Sequence, residues 1–144
     1  MARIKIELPA TFPFSTNIAI RITDINYGNH VGNDSVLSLL HEARMQFLKN
    51  FGLAELQFAG TSLIMSDAVI EFKGELFYGD VVKAYVTAGN FTRAGFDIYY
   101  KLIRAEDESI VVHAKTGMVC YDYSKRKVVA VPDEAKNKLT SSSN

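Results

Sequence analysis

The sequence predicts an α+β domain in which a curved antiparallel sheet of five or six strands wraps around one long central helix. Three observations predict this fold: one long helical pattern rich in apolar residues, four β-rich runs after it, and turn-forming residues between those runs. The 144 residues match the size of one domain with its own core, so we treat residues 1–144 as a single domain. A helix that is apolar on several sides must be covered, and the sheet can cover it.

The first strand is predicted from Phe14 to Ile22, because apolar and polar residues alternate there as in a half-buried strand. The alternation then stops, and the segment from Thr23 to Asp34 is rich in Asp, Asn and Gly, which favour turns and left-handed backbone. We therefore expect a structured loop between this strand and the helix.

The helix is predicted near residues 35 to 50. Asp34 or Ser35 is a suitable N-cap, and Gly52 follows the last turn as a C-terminal stop. Apolar residues recur between them at helical spacing, at Val36, Leu40, Ala43 and Phe47. Because the helix is so apolar, we expect the sheet to enclose it.

The four β-rich runs after the helix are separated by turn-forming residues and predict consecutive antiparallel hairpins. They extend over Ser62 to Phe72, Val81 to Thr92, Gly95 to Ala105 and Ser109 to Tyr123. A short C-terminal helix is expected from Pro132 to Leu139. A single-layer sheet leaves an edge and an outer face uncovered, so we expect a homo-oligomer, either a dimer or a tetramer.

Composition disfavours several classes of function. Sixteen basic and sixteen acidic residues cancel, so no overall field draws the chain to nucleic acid or to an anionic membrane. The N-terminal residues MARIKIELP lack a long apolar core, which argues against a secretory signal and a membrane span. Cys120 is the single cysteine and is expected to be buried and inert, and the three histidines are scattered, so neither a metal site nor a cofactor is expected. A cytoplasmic location fits these features best.

The segment from Thr23 to Asp34 is TDINYGNHVGND, and the predicted helix carries the sequence HEAR from His41 to Arg44. This pair of motifs resembles the hot-dog thioesterases of the 4-hydroxybenzoyl-CoA thioesterase-like group, whose pattern is Asp-x-Asp-x-x-Gly-His-Val-Asn-Asn before a helix with Glu-x-Ala-Arg. Without a gap, the matching residues are Asp24, His30, Val31, Asn33, Glu42, Ala43 and Arg44. The segment from Ile70 to Asp80 resembles the second strand of that group and its Gly-Asp turn. The resemblance covers residues 14 to 123 and implies the hot-dog fold.

The resemblance implies hydrolysis of an acyl-CoA or acyl-ACP thioester without metal or cofactor. The second Asp of the motif, which acts as general base or nucleophile in that group, is replaced here by Asn26. The motif's Gly and first Asn are replaced by Asn29 and Gly32. An amide cannot accept a proton near neutral pH, but Asn26 can hold a water or donate a hydrogen bond to the thioester carbonyl.

His30 is the candidate substitute for the missing carboxylate, because an imidazole can take a proton from water near neutral pH. The plant acyl-ACP thioesterases, a related hot-dog group, also place a functional histidine in the corresponding loop, and only this residue of their Asp-x-Asn-x-His pattern is matched here. The alternative is that His30 only braces the loop through hydrogen bonds.

An oxyanion site is expected at Gly32, Asn33 and Asp34. Their peptide groups should lie at the N-terminus of the central helix, where unpaired N–H groups and the helix dipole favour negative charge. Such donors stabilise the tetrahedral intermediate of attack on a thioester. Ordinary helix capping is the alternative, and Gly32 eases close approach of a carbonyl because it has no side chain.

Two further carboxylates are candidate catalytic residues. Glu42 and Arg44 lie in an apolar helix, where an unpaired charge is costly, so Glu42 is either catalytic or a structural partner. Asp67 lies in the predicted strand from Ser62 to Phe72 and could approach the loop of a neighbouring subunit, although an exposed strand face explains it too. A basic run at residues 125–127 either meets the phosphates of coenzyme A or is simply solvated.

Two rival functions use the same fold. In the first, Asn26 marks the loss of the catalytic base, and the chain is a non-hydrolytic acyl-thioester-binding protein. In the second, the chain hydrates an enoyl thioester, although the paired Asp and His of that reaction are not evident. The acyl group itself cannot be identified from the sequence, because abundant Phe, Leu and Tyr serve any core.

Overall fold

A computed structural model describes residues 4–140, and its elements follow the predicted order. The six strands are β1 (Phe14–Ala19), β2 (Ser62–Phe72), β3 (Val81–Gly89), β4 (Gly95–Arg104), β5 (Ile110–Asp122) and β6 (Lys127–Val128). The two α-helices are α1 (Asn33–Asn50), between β1 and β2, and α2 (Asp133–Thr140), after β6. The architecture is the predicted α+β hot-dog fold, an antiparallel sheet packed around one long helix.

All strand pairs are antiparallel, and the order across the sheet is β1-β3-β4-β5-β2, with β6 paired to the end of β5. The predicted hairpins between β3 and β4 and between β4 and β5 are confirmed. The expected hairpin between β2 and β3 is wrong, because β2 pairs with β5 at the far edge.

The connection from β2 to β3 crosses one end of the sheet instead of forming a tight turn. Lys73 N–H donates to the Val111 carbonyl at 2.8 Å, which fastens the connection to β5. Ile20 N–H donates to the Asp80 carbonyl at 2.9 Å, which fastens its other end beside β1. These hydrogen bonds satisfy backbone groups of the connection between β2 and β3. The long connection is therefore stable, although β2 and β3 do not pair with each other.

The first strand is shorter than predicted. It ends at Ala19, and residues Ile22–Asp24 form a short 3₁₀ helix. Asp24 closes this turn because its carboxylate accepts a hydrogen bond from Arg21 N–H at 2.8 Å. The alternation of polar and apolar residues therefore continues to Ile22, beyond the end of the strand at Ala19.

The helix begins earlier than predicted, at Asn33, and its N-cap is Gly32 without a side-chain cap hydrogen bond. The expectation that Asp34 or Ser35 caps α1 is wrong, since both lie inside the first turn. The carboxylate of Asp34 still lies at the N-terminal end, where the helix dipole favours negative charge.

One side of α1 packs on the concave face of the sheet and forms the core. Phe47 is fully buried and its ring contacts the ring of Phe14 on β1, with centroids 5.7 Å apart. The opposite side of α1 is open in the single chain, because His41 and Glu42 are exposed and Leu37 retains 43% of its exposure. The helix is therefore covered on one side only, less completely than its composition predicts.

The N-terminal segment before β1 crosses the convex face of the sheet. Ile6 N–H donates to Oε1 of Glu71 on β2 at 2.6 Å. The Phe12 ring packs edge-on against Tyr85 of β3, and the Lys101 ammonium lies 5.4 Å and 4.8 Å from these two ring centroids.

Between residues 4 and 140, no helix is long and apolar enough to cross a membrane.

Candidate active site

The loop between β1 and α1 is fixed by backbone hydrogen bonds. Asn26 N–H donates to the His30 carbonyl at 3.0 Å, and Asn29 N–H donates to the Asn26 carbonyl at 3.0 Å. Asn29 adopts the left-handed conformation with φ of 67°, which asparagine tolerates better than most residues. Val31 N–H donates to the Leu76 carbonyl at 2.9 Å, so the connection from β2 to β3 holds the loop from outside.

Asn26 is exposed, and its side chain is oriented by the loop. Its Oδ1 accepts a hydrogen bond from Gly28 N–H at 2.8 Å. The amide group Nδ2 lies close to Gly32, 3.4 Å from the position that a Cβ would take there. The amide N–H donors therefore face the start of α1, while the oxygen is engaged with the loop backbone.

His30 is half-buried, and one ring nitrogen is engaged. Nδ1 lies 3.1 Å from the Val31 carbonyl oxygen, which can only accept, so Nδ1 carries the proton of the neutral ring. Nε2 then presents a free lone pair. A Cβ added to Gly28 would lie 3.4 Å from this Nε2 and 3.2 Å from Asn26 Oδ1, so the two side chains face each other across Gly28.

A cavity of about 260 Å³ opens beside His30. It lies between the N-terminal end of α1, the end of β2 and the start of β5. His30, Asn33 and Glu75 supply polar groups, and the remaining wall is mostly apolar, with Val36, Phe72, Leu76, Val111 and Val112 among its residues. An apolar cavity with a few polar groups at one end is typical of a small-molecule site.

The N-terminus of α1 adjoins this cavity. Among residues 4–140, the N–H groups of Asn33 and Asp34 have no hydrogen-bond acceptor, as expected for the first turn of a helix without a side-chain cap. The space beside Gly32 is occupied by Asp34, whose Oδ1 lies 2.6 Å from the position of a Cβ there. Any larger residue at position 32 would displace this carboxylate or the loop.

Five of the predicted site residues are therefore brought together around one loop and helix end: Asn26, His30, Gly32, Asn33 and Asp34. Glu42 lies elsewhere, on the exposed side of α1. Its Oε2 accepts a hydrogen bond from Gln46 Nε2 at 2.6 Å, and it lines a separate groove of about 430 Å³ between α1 and β1.

Asp67 also lies apart from the loop. It is exposed on β2, next to a bulge between Met65 and Asp67, and it is paired with Gly117. The neighbours of Gly117 on β5, Thr116 and Met118, are buried on the helix side, so Asp67 faces the convex side of the sheet. Phe72, which lines the His30 cavity, is about 17 Å further along the strand.

The sequence motifs did not reveal the role of the buried Arg44. Its Nε donates to Glu55 Oε2 at 2.7 Å, and its Nη1 donates to the Tyr100 hydroxyl at 3.1 Å. Tyr100 in turn lies 2.7 Å from Thr116 Oγ1. Burial raises the pKa of the Tyr100 hydroxyl, so this group is protonated at neutral pH. It can therefore donate a hydrogen bond to Thr116 Oγ1. The requirement that Arg44 be paired is confirmed, but its partners are far away in sequence.

Cys120 is buried as predicted, and burial raises the pKa of its thiol, which keeps it unreactive. In the described part of the chain, no three His, Cys, Asp and Glu side chains are grouped to hold a metal ion. The basic run at residues 125–127 lies exposed in the turn between β5 and β6.

Comparison with known proteins identifies the family. Residues 20–139 match the thioesterase-like superfamily. The chain is 32% identical over 107 residues to a 1,4-dihydroxy-2-naphthoyl-CoA hydrolase from Microcystis aeruginosa, covering 72% of this chain and 76% of the relative.

Solved structures share the fold. A 1,4-dihydroxy-2-naphthoyl-CoA thioesterase from Synechocystis superposes with a TM-score of 0.81 at 21% identity, covering 88% of this chain and 95% of the other. A DHNA-CoA thioesterase from Staphylococcus aureus gives a TM-score of 0.77 at 18% identity, with coverage of 88% and 90%. The chain therefore belongs to the thioesterase-like superfamily, and it is a thioester hydrolase with the hot-dog fold.

Proposed function

We propose that the protein hydrolyses acyl-CoA thioesters and that His30 is the general base. The observation that carries this proposal is the free Nε2 lone pair of His30 beside an apolar cavity and a helix N-terminus. The hydrogen bond from Nδ1 to the Val31 carbonyl orients the ring and fixes the tautomer, as a base requires.

In this mechanism, a water between His30 and the substrate is deprotonated by Nε2 and attacks the thioester carbonyl carbon. The carbonyl oxygen becomes an oxyanion and accepts hydrogen bonds from the N–H groups of Asn33 and Asp34 at the start of α1. The tetrahedral intermediate collapses, the C–S bond breaks, and the thiolate of coenzyme A takes the proton from the His30 imidazolium. The products are a free acid and a thiol.

Asn26 holds the water or the thioester carbonyl in this scheme. Its Nδ2 donors face the start of α1, close to Gly32, where the oxyanion is expected to form. An amide donor near the oxyanion contributes to transition-state stabilisation without taking part in proton transfer. Gly32 permits this arrangement because a side chain there would meet both Asn26 and Asp34.

We propose a coenzyme A thioester as the substrate, with an apolar or aromatic acyl group. The relative from Microcystis aeruginosa is named for a CoA thioester with an aromatic acyl group, and the wall of the His30 cavity is mostly apolar. An acyl-ACP would present the same thioester on a protein carrier, so it belongs in the substrate panel as well.

We further propose that two subunits pair through the outer edge of β2. This strand ends the sheet, is 11 residues long, contains no Pro or Lys, and exposes Met65 and Phe72. A long edge strand of this kind is a template for pairing with a second copy. Pairing would cover the open side of α1 where it faces β2. Asp67 is then proposed to belong to this edge and to take no part in proton transfer.

Glu42 stays a second candidate carboxylate, because its groove between α1 and β1 is also large enough for an acyl chain. The two candidates are separable, since Glu42 and His30 line different cavities. Glu42→Gln is expected to leave turnover within about threefold of wild type if His30 is the base.

A hydrolysis screen tests the function. Purified protein is offered acyl-CoA and acyl-ACP thioesters of increasing chain length and aryl-CoA thioesters, and the free thiol is measured. We expect turnover on at least one CoA thioester. The non-hydrolytic alternative, favoured by the missing carboxylate at Asn26, predicts binding of these thioesters with no thiol released above the uncatalysed rate.

A further inference from the structure

Glu75 places a carboxylate at the cavity beside His30. Among the described residues that line this cavity, it is the one acidic or basic side chain apart from His30, because the others are Asn33, a glycine and apolar residues. The Glu75 side chain is exposed, and within residues 4–140 no hydrogen bond or ion pair engages its carboxylate. The proposed hydrolysis does not use this group.

The connection from β2 to β3 holds Glu75 in place beside the cavity. On one side, Gly74 N–H donates to the Val111 carbonyl of β5 at 3.2 Å. On the other side, the Leu76 carbonyl accepts a hydrogen bond from Val31 N–H at 2.9 Å. The backbone is therefore fixed on both sides of Glu75, and its carboxylate stays near the cavity.

The cations close to Glu75 do not neutralise its charge. Arg104 Nη2 donates to the main-chain carbonyl of Glu75, while its Nη1 lies 3.1 Å from Asp107 Oδ2. The Lys73 ammonium lies 3.5 Å from Glu71 Oε2. Because both cations are paired with other carboxylates, the negative charge of Glu75 acts on whatever enters the cavity.

The N-terminus of α1 adjoins the same cavity and attracts negative charge. A carboxylate on the acyl group could therefore occupy the N–H groups of Asn33 and Asp34 in place of the thioester oxygen. The Asp34 carboxylate lies beside Gly32 and is not among the described residues that line the cavity. Glu75 is thus the carboxylate placed to oppose such binding from the cavity side.

We propose that Glu75 is a specificity residue that excludes acyl groups with a terminal negative charge. This inference rests on the proposed hydrolase function and narrows its substrate class to CoA thioesters with an uncharged acyl group. An acyl carboxylate would enter the same cavity as Glu75, and repulsion between the two charges weakens its binding. An uncharged acyl group meets no such repulsion. Glu75 acts on binding alone and takes no part in bond breaking.

The test uses pairs of acyl-CoA thioesters with equal numbers of acyl carbons, one ending in a methyl group and the other in a carboxylate. Pentanoyl-CoA with glutaryl-CoA and hexanoyl-CoA with adipoyl-CoA are two such pairs. The ratio of kcat/KM within a pair gives the charge preference. Apolar walls disfavour any carboxylate, so the change of this ratio on substitution measures the contribution of Glu75.

Three variants of Glu75 separate its charge from its shape. Glu75→Gln keeps the shape and should lower the preference for the uncharged member by about fivefold or more, and Glu75→Lys should lower it further. Glu75→Asp keeps the charge and should retain the preference within about twofold. With Glu75→Gln, kcat/KM on the uncharged member should stay within about twofold of wild type.

Glu134→Gln is the matched control. Glu134 is an exposed glutamate of α2, outside the cavity, and its ion pair with Lys138 is also exposed. Removing this charge should leave the preference unchanged. Raising the ionic strength from about 0.02 to 0.5 M should reduce the preference of wild type toward that of Glu75→Gln, because salt screens the repulsion.

Equal preferences of wild type and Glu75→Gln would overturn the inference. So would an equal loss of activity toward both members of each pair, because it would place Glu75 in the chemistry or the fold. Non-hydrolysable thioether analogues of the same pairs keep the two proposals separate. Absent thiol release would overturn the hydrolase function, while the dissociation constants of the thioethers would still report the preference set by Glu75.

Discussion

In the proposed mechanism, Asn26 and His30 divide between them what one carboxylate does in the family pattern. A carboxylate can both hold a water and take its proton, whereas an amide can only hold it. His30 is placed for the second task because its engaged Nδ1 leaves Nε2 free beside the cavity. In the proposed mechanism the spacing between the two side chains therefore matters as well, and Gly28 lies between them.

Gly28→Ala is expected to lower kcat/KM by about tenfold or more, because the new Cβ would lie 3.2 Å from Asn26 Oδ1 and 3.4 Å from His30 Nε2. Gly28 is exposed, so the melting temperature should change little. Gly89→Ala, where the nearest atom is at an ordinary 3.5 Å, is the control and should keep full activity. Unchanged activity of Gly28→Ala would show that the two side chains do not act together.

His113 lies on the convex face of the sheet, and its protonation makes the stability of the fold depend on pH. Burial lowers its pKa, the Lys73 and Lys101 charges lower it further, and Glu71 acts in the opposite direction. Below the ordinary histidine pKa of 6.5, the unfolded chain therefore binds a proton that the folded chain does not. Stability should fall as the pH drops through this range.

His113→Gln is expected to reduce that loss of stability. Melting temperatures measured between about pH 7.5 and 5.0 should decline less steeply for the variant than for wild type. Glu71, whose pKa is lowered by the hydrogen bond from Ile6 N–H, acts only below its ordinary value of 4.5 and does not enter this window. Equal slopes for variant and wild type would show that His113 is protonated equally in both states.

At the scale of elements, α1 connects the core to the site. Its buried side anchors it to the sheet, and that position fixes where its N-terminal N–H groups point. Leu40 is fully buried in the middle of this side. Any loss of packing there should move the proposed oxyanion donors as well as destabilise the fold.

Leu40→Asp is expected to cost about 4 kcal/mol or more, because it places an unpaired charge in the core. That is a large part of the roughly 5–15 kcal/mol typical of a domain, so the protein should be mostly unfolded by circular dichroism. Leu56→Asp is the control, since Leu56 is 74% exposed and the same change there should cost little. A Leu40→Asp variant with near-native melting would mean that α1 is not packed on the sheet.

Local patterns predict the elements well and their ends less well. The limits of β2 are predicted to the residue, because alternation and flanking turns coincide there. The start of α1 is missed, because Asp34 and Ser35 have the chemistry of caps but Gly32 takes the position. The pairing of β2 with β5 is also missed, because strand order depends on the crossing connection and its bonds to Val111, which leave no local sequence signal.

The candidate site is predicted to a similar extent. Motif spacing brings His30 to the helix N-terminus, where the structure has it. Glu42 also matches the family motif, but its position on α1 places it on the exposed side of the helix. There it lines a different groove, between α1 and β1. The contacts of Arg44 join residues 44, 55, 100 and 116, and such long-range pairing is not encoded in any single motif.

At the scale of the whole molecule, the proposed dimer follows from the position of β2 at the edge of the sheet. Ala68→Lys places a charge on this edge, where Ala68 is exposed, and should weaken self-association by at least about tenfold in sedimentation experiments. Ala19→Lys makes the same change on β1, the opposite edge, and should leave association unchanged. Dimers that resist Ala68→Lys but dissociate with Ala19→Lys would place the interface at the other edge.

We propose that this thioesterase works without the usual carboxylate because His30 supplies the base. The most direct test compares kcat/KM for wild type, His30→Ala and Asn26→Asp on one acyl-CoA panel, with His41→Ala as a control on an exposed histidine. If His30 is the base, His30→Ala should lose on the order of 10²-fold or more in kcat/KM, while Asn26→Asp should keep or raise it. A wild type that is active and indifferent to both substitutions would contradict it.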